Sequence, residues 1–223
     1  MLAVATDPNT LQPHLHNHHH TVSIAAINGP HATVLSGDHT TLQHIAHNLT
    51  TQKIKTNWLN VSHAFHSPLM HPIHTPFTTT LQQLTYHPPR IPLISMLTAQ
   101  PTHPDATHWA NHITAPVRYA DTLHHLHQQG VTTYLEIGPD ATLTAMARNT
   151  LPPTTHLIPT TRRNHNDPHD PTLRRRTRPH PGHQTVNWHS LIPPRPPHLP
   201  PHLPLPTTQR YWLHEGAEGT AGT

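Results

Sequence analysis

The stretch Val22–Gly37, VSIAAINGPHATVLSG, contains two apolar segments separated by a turn sequence. Both segments contain the β-branched residues that favour strands, and Asn28–Pro30 between them is typical of a tight turn. The stretch therefore predicts two strands, over 22–27 and 32–37, which pair as an antiparallel hairpin.

The residues before this hairpin predict a strand followed by a helix. Leu2–Ala5 is a short apolar run. Asp7 and Pro8 follow it, and these residue types begin helices, aspartate as the capping side chain and proline at the first helical position. We therefore expect a strand over 2–5 and a short helix that ends near His16.

The residues after the hairpin predict another helix and another strand. Asp38 can cap a helix in which apolar residues recur every three or four positions, the spacing of one helix face. A strand is then predicted over 58–61. The resulting order, β-α-β-β-α-β, is that of a ferredoxin-like unit, which we assign to residues 1–62. The apolar residues on the predicted helix face are Leu42, Ile45, Ala46 and Leu49.

Residues 63–160 alternate predicted helices with apolar strands. Such alternation favours an α/β fold with a parallel or mixed sheet. Gly130 is expected to end the second helix, because glycine readily adopts the backbone conformation that follows a helix C-terminus. The helices are predicted over 69–84, 115–129 and 140–148, and the strands over 91–97, 131–137 and 156–159.

Proline and a low apolar content divide the chain. Of the 223 residues, 33% are hydrophobic, against about 45–50% in ordinary globular proteins. Fifteen of the 28 prolines lie between Pro152 and Pro206. Because proline lacks a backbone donor and interrupts helices and strands, residues 161–223 are predicted to be an irregular tail rich in proline and arginine.

The composition excludes several classes of site. Without cysteine, the chain has no disulfide, zinc–thiolate site, iron–sulfur cluster or cysteine nucleophile. It contains no glycine-rich phosphate loop and no run of about 18 apolar residues, and its first residues lack the pattern of a secretory signal. We therefore expect a cytoplasmic protein that binds neither nucleic acid nor a membrane.

Histidine is unusually abundant, with 29 residues. Five of them lie in residues 14–20, HLHNHHH, a pattern that could indicate a metal-binding tract. The bias extends over the whole chain, however, and a local function cannot explain a global bias. We interpret residues 14–20 as a solvated loop and predict no metal site.

Another histidine-containing stretch is the strongest candidate for a site. VSHAFHSPLM, residues 61–70, follows a predicted strand and begins a predicted helix. Turns at strand ends are where α/β proteins build their sites. In a chain this rich in histidine, the stretch alone is also compatible with two ordinary surface histidines.

This stretch and several later blocks resemble the acyltransferase domain of modular type I polyketide synthases. The resemblance runs in family order from the first residue to about Arg163 and implies a ferredoxin-like small subdomain followed by part of an α/β hydrolase-like subdomain. A linker that follows the acyltransferase would correspond to residues 161–223. The later blocks are LTYHPPRIPLIS (84–95), WANHITAPVRYADTLHHL (109–126), GVTTYLEIGPDATLTAMAR (130–148) and QRYWL (209–213).

The resemblance implies transfer of an acyl group from a coenzyme A thioester to the phosphopantetheine arm of an acyl carrier protein, through a Ser–His pair. It implies that His66 is the general base and that a backbone carbonyl within residues 111–116 orients its ring; His112 is our candidate for that carbonyl. The family's specificity motif corresponds to His63, Ala64 and Phe65, in the form that accompanies malonyl units. The implied partners are malonyl-CoA and the acyl carrier protein and ketosynthase of the same synthase, without a bound cofactor.

The chain also departs from the family pattern. No G-H-S-x-G sequence, which carries the family's nucleophile, occurs in the 223 residues. The family's glutamine-containing oxyanion loop and carboxylate-binding arginine are also missing. We therefore expect the chain to be inactive alone. The alternatives are a non-catalytic truncated remnant and a docking module for an acyl carrier protein.

Overall fold

The computed structural model describes residues 1–160, which form a four-stranded sheet, two two-stranded sheets and six α-helices. The predicted tail, 161–223, lies outside the described residues. The first elements are β1 (Leu2–Val4), α1 (Pro8–Leu15), β2 (Val22–Gly29), β3 (Ala32–Gly37), α2 (His39–Thr51) and β4 (Thr56–Trp58). A 3₁₀ turn (Pro68–Met70), α3 (His71–Leu81), β5 (Ile94–Ser95), β6 (Gln100–Pro101), α4 (Ala106–His112), α5 (Tyr119–Gln128), β7 (Thr133–Glu136), α6 (Thr142–Ala147) and β8 (His156–Pro159) follow.

The first four strands form one antiparallel sheet in the order β2-β3-β1-β4. The predicted hairpin is confirmed, with Ser23 opposite Ser36 and Ile24 opposite Leu35. The element order β-α-β-β-α-β is also as predicted, although the last strand lies a few residues earlier than expected. All described residues belong to one compact unit, so the division into subdomains at residue 62 stays a prediction.

The main hydrophobic core lies between this sheet and the two helices α1 and α2. Both helices begin as predicted: the Asp7 carboxylate accepts the amides of Asn9 and Thr10, and the Asp38 carboxylate accepts the amide of Thr41. Each such cap stabilises a helix by about 1 kcal/mol. Side chains from both layers are buried together, namely Leu2, Val4, Leu11, Leu15, Val22, Leu35, Leu42, Ile45 and Leu49.

Strand β2 is at the edge of the sheet, and its free edge joins the sheet to the rest of the unit. The amide of Val117 donates to the Ala25 carbonyl over 2.8 Å, and the amide of Ile27 donates to the Val117 carbonyl over 2.9 Å. The pairing of β2 with β3 shifts register between Ile24 and Ala26, the irregularity of a β-bulge. An edge strand that would otherwise be open is thereby covered by a later segment of the chain.

A second, smaller core lies where α5 and α6 meet strands β7 and β8. These two strands pair in parallel, which agrees with the predicted parallel or mixed sheet. The buried members of this core are Tyr119, Leu123, Ala147 and Leu151. The Glu136 carboxylate at the end of β7 accepts the amides of Leu143 and Thr144 at the start of α6. This side chain therefore satisfies two of the free amides that every helix start exposes.

Two predicted elements differ from the structure. The strand predicted over 91–97 is reduced to β5, two residues long, and Ile91 is 80% exposed. Pro92 cannot donate a strand hydrogen bond, and the partner strand β6 is equally short. The helix predicted from residue 115 begins at Tyr119, because Val117 is engaged with β2. Helix α4 was not predicted.

The first prediction concerns Gly37, at the end of β3. Its φ is +153°, and an added Cβ would lie 2.6 Å from the Val22 Cα and closer still to the Thr21 carbonyl oxygen. Gly37→Ala should therefore lower the free energy of unfolding by about 2–3 kcal/mol, measured by denaturant titration. Gly130→Ala is the matched control, because its φ is +84° but no atom lies within 4 Å of an added Cβ. Equal losses in the two variants would contradict the steric argument.

The second prediction concerns Tyr119, which is 7% exposed and donates its hydroxyl to the Leu143 carbonyl over 2.9 Å. Burial, with smaller contributions from the charges of Glu136 and Tyr134, raises the pKa of Tyr119 from 10.0 to about 12. A raised folded-state pKa stabilises the fold below about pH 10, and this contribution, at most about 3 kcal/mol, is lost as pH rises towards 12. Unfolding titrations should show a smaller alkaline loss in Tyr119→Phe. An identical loss in that variant would rule out Tyr119 as its source.

Candidate active site

The stretch singled out in the sequence forms a tight turn between β4 and the 3₁₀ turn. His66 has a φ of +59°, in the left-handed region of backbone conformation that residues other than glycine rarely adopt. The next residue, Ser67, is fully buried; its hydroxyl donates to the Ala64 carbonyl over 2.6 Å and accepts the Leu69 amide. The turn is therefore fixed by its own hydrogen bonds immediately after His66.

Three hydrogen bonds from distant segments hold His66 in this conformation. Its amide donates to the Ile113 carbonyl over 2.8 Å, and its carbonyl accepts the Ser23 hydroxyl over 2.7 Å. Its ring Nδ1 lies 2.8 Å from the Ala115 carbonyl oxygen. A left-handed residue costs about 1–2 kcal/mol relative to the right-handed conformation, and three partners of this kind can offset that cost.

The partner of Nδ1 decides which ring nitrogen carries the proton. A backbone carbonyl only accepts, so Nδ1 of His66 carries the hydrogen and donates to Ala115. In the neutral ring, Nε2 then holds the lone pair and can accept a proton from a substrate or from a neighbouring hydroxyl. The arrangement fits a general base whose orienting group is a backbone carbonyl.

The expectation that His112 supplies this carbonyl is wrong. The predicted block 111–116 contains the partner, but it is Ala115. His112 is the last residue of α4, and the chain then turns, with the amides of Thr114 and Ala115 donating to the Asn111 carbonyl. That turn brings the Ala115 carbonyl, three residues further along, to the ring of His66.

The ring of His112 nevertheless lies beside His66. The two ring centroids are 5.8 Å apart with nearly perpendicular planes, and the ring of His108 is 6.0 Å from His112. Burial lowers the pKa of His112 below its ordinary value, and the charges of His66 and His108 lower it further. Both effects favour the neutral form of the His112 ring.

The three predicted specificity residues share the turn with His66. The ring of Phe65 is 44% exposed and lies 5.7 Å from the ring of His63. Nδ1 of His63 is 2.9 Å from the Ser62 hydroxyl, and the carbonyl of Ala64 accepts the hydroxyl of Ser67. Phe65 immediately precedes His66 in this turn, and its one ring contact among the described residues is with His63.

Ser23 is a site residue that no sequence pattern indicates. It lies in β2, 43 residues before its partner His66, and nothing in a strand pattern distinguishes it from Ser36 on the neighbouring strand. Only the folded chain brings its hydroxyl to the His66 carbonyl.

Within residues 1–160, no three histidine, aspartate or glutamate side chains are grouped so that they could hold a metal ion. None of the helices in the same residues has the length and apolar character needed to cross a membrane.

Comparison with protein families gives the context for this geometry. Residues 1–184 match the family described as acyl transferase domain. The chain belongs to this family. Its relatives include a phenolphthiocerol synthesis polyketide synthase type I, Pks15/1, of Mycobacterium bovis, 35% identical over 161 residues, and polyketide synthase GfsA of Streptomyces halstedii, 36% identical over 133 residues. These matches cover 71% and 58% of the chain.

Solved structures agree with the family assignment. The acyltransferase domain from the second module of the salinomycin polyketide synthase is 38% identical over 79% of this chain, with a TM-score of 0.74. A malonyl-CoA:acyl carrier protein transacylase from Xanthomonas oryzae has the same fold, with a TM-score of 0.67 at 20% identity. The chain spans 8% and 2% of the two curated synthases and 42% of the salinomycin domain.

The third prediction follows from the lowered pKa of His112. Because the folded-state pKa lies below the ordinary 6.5, protonation favours the unfolded chain. The stabilisation is present above about pH 6.5 and is lost as the pH falls. His112→Asn should therefore lose less unfolding free energy than the wild type between about pH 7.5 and pH 5.5. His71→Asn, at an exposed histidine, should behave as the wild type. If His112→Asn loses as much as the wild type, the explanation by burial fails.

Proposed function

We propose that this chain is part of a polyketide synthase acyltransferase that transfers a malonyl unit from coenzyme A to an acyl carrier protein. The observation that supports it most directly is the hydrogen bond from Nδ1 of His66 to the Ala115 carbonyl. It leaves Nε2 free to act as a general base, within a chain whose family is that of acyl transferases. The carrier protein and ketosynthase of the same synthase are the proposed partners.

In the proposed first half-reaction, Nε2 of His66 takes the proton of a serine hydroxyl as its oxygen attacks the thioester carbonyl of malonyl-CoA. The C–S bond breaks, the imidazolium protonates the leaving thiolate, and a malonyl-serine ester remains. The Ala115 carbonyl stabilises the imidazolium through the Nδ1 hydrogen. The 223 residues contain no G-H-S-x-G sequence, so the proposal assigns the nucleophile to sequence outside them.

In the second half-reaction, the thiol of the carrier protein's phosphopantetheine arm attacks the ester. Nε2 of His66 takes the thiol proton and returns a proton to the serine oxygen as the ester bond breaks. The products are malonyl-carrier protein and free serine, and no cofactor is consumed. One histidine thus serves both half-reactions as base and as acid, which requires that its ring keeps one orientation throughout.

The proposed preference for malonyl over methylmalonyl rests on Phe65. Phe65 precedes His66 in the chain, and its proposed role is to fill the space that a smaller side chain would leave for the methyl group of methylmalonyl. One methyl group in an apolar site is worth about 1–3 kcal/mol. A preference of about ten-fold or more, rather than absolute selection, is therefore proposed.

The fourth prediction tests both the role of His66 and the malonyl preference. The full chain alone should transfer no malonyl group to a phosphopantetheinylated carrier protein. A chimera in which residues 1–160 replace the matching part of the salinomycin second-module domain should transfer it. In that chimera His66→Ala should lower kcat by about 10²–10⁴-fold, and malonyl-CoA should be preferred to methylmalonyl-CoA in competition, both followed by mass spectrometry of the carrier protein.

The control is His71→Ala, an exposed histidine five positions away, which should leave transfer unchanged. Transfer by the full chain alone, above its His66→Ala variant, would contradict the assignment of the nucleophile to other sequence. A chimera that keeps its full activity after the His66→Ala substitution would refute the general base. A chimera that folds but transfers nothing would favour a non-catalytic remnant. Binding of the carrier protein without acylation would favour a docking module.

A further inference from the structure

The hydroxyl of Ser23 makes a contact that no sequence motif predicts. It donates to the carbonyl of His66 over 2.7 Å, between segments 43 residues apart, and the contact is partly buried. Ser23 lies in β2, on the face of the sheet opposite the main core, because its neighbour Val22 points into that core. A side chain of β2, in the four-stranded sheet, therefore contacts the backbone of the candidate base directly.

The same strand also holds the segment that contains Ala115, the hydrogen-bond partner of the His66 ring. The carbonyl of Ala25 and the amide of Ile27 both pair with Val117. Val117 lies only two residues after Ala115, whose carbonyl accepts Nδ1 of His66. Strand β2 therefore fixes the His66 backbone at one point and the Ala115 segment at another.

The left-handed backbone at His66 explains why a second point of attachment is needed. A histidine at φ +59° relaxes towards negative φ unless its surroundings hold it. Ser67, the next residue, is fixed by its buried hydroxyl, so rotation of the chain would be taken up at His66 itself. Release of the His66 carbonyl would therefore let the ring move away from Ala115.

We propose that Ser23 is a positioning residue: its hydroxyl holds the backbone of His66 so that the ring keeps its hydrogen bond to Ala115. The inference rests on the proposed role of His66 for its importance in catalysis, but the positioning itself is a structural statement. Ser23 touches no reacting atom and acts only through His66.

Ser36 provides a matched control on the neighbouring strand. It lies directly opposite Ser23 in the sheet and is fully buried. Its hydroxyl has no hydrogen-bond partner among the described residues. Ser36→Ala therefore removes the same atom from the same sheet without touching His66.

The fifth prediction uses the full chain, labelled with ¹⁵N-histidine and observed by NMR. The His66 ring signals are assigned by their absence in His66→Gln. In the wild type they should show the Nδ1–H tautomer with slow exchange of that hydrogen. In Ser23→Ala the tautomers should become mixed and the exchange about five- to ten-fold faster, the effect of losing one hydrogen bond. Ser23→Thr, which keeps a hydroxyl, and Ser36→Ala should both match the wild type.

Circular dichroism shows whether each variant folds. If Ser23→Ala does not fold, Ser23→Cys, nearly equal in size but a much weaker donor, should give the same mixed tautomers. A His66 ring unchanged in tautomer and exchange in the folded Ser23→Ala or Ser23→Cys variant would overturn the proposal. An equal change in Ser36→Ala would overturn it too, since it would show a general loosening of the sheet.

The chimera described above separates this inference from the proposed function. There Ser23→Ala should lower kcat about ten-fold with KM unchanged, because a displaced base affects the reaction and not substrate binding. If His66→Ala does not change transfer while Ser23→Ala still changes the His66 ring signals, the proposed function fails and the positioning stands. If His66→Ala abolishes transfer while Ser23→Ala changes neither the signals nor kcat, the positioning fails and the function stands.

Discussion

The hydrogen bond from the ring of His66 to the carbonyl of Ala115 joins segments 49 residues apart, and the geometry of the candidate site depends on it. It fixes the orientation and the tautomer of the ring at once, since a carbonyl accepts only from a protonated Nδ1. A carboxylate in the same place would add a full charge, whereas a carbonyl adds only a dipole. The orientation must then come from the backbone on both sides of the bond.

That backbone is organised by the four-stranded sheet. One face of β2 contributes Val22 to the main core, so the position of the strand is set by the packing of α1 and α2. The opposite face of the same strand carries Ser23, which contacts His66. The free edge of the strand pairs with Val117. A close-packed core tolerates little displacement. The position of the candidate site is therefore fixed by the packing of core residues that lie outside it.

The sequence predicts the elements whose signals are local. Asp7 and Asp38 cap their helices through hydrogen bonds to residues two or three positions away, and the 22–37 hairpin closes through its own turn. Long-range partners left no such signal: the choice of Ala115 over His112 depends on how the chain turns after α4. The strand predicted over 91–97 failed for a related reason, because apolar character does not supply a pairing partner.

The parallel pair β7–β8 contrasts with the well-packed four-stranded sheet. Leu135 is 54% exposed and Ile137 84% exposed, although parallel strands are ordinarily covered on both faces. The salinomycin domain that shares this fold is more than twice as long as the matched region, which covers 42% of it. The three hydrogen-bond partners of His66, by contrast, all lie within residues 1–160. The orientation of the proposed base is thus set by these residues alone. Under the proposed function, a serine supplied by other sequence would meet a histidine already in place.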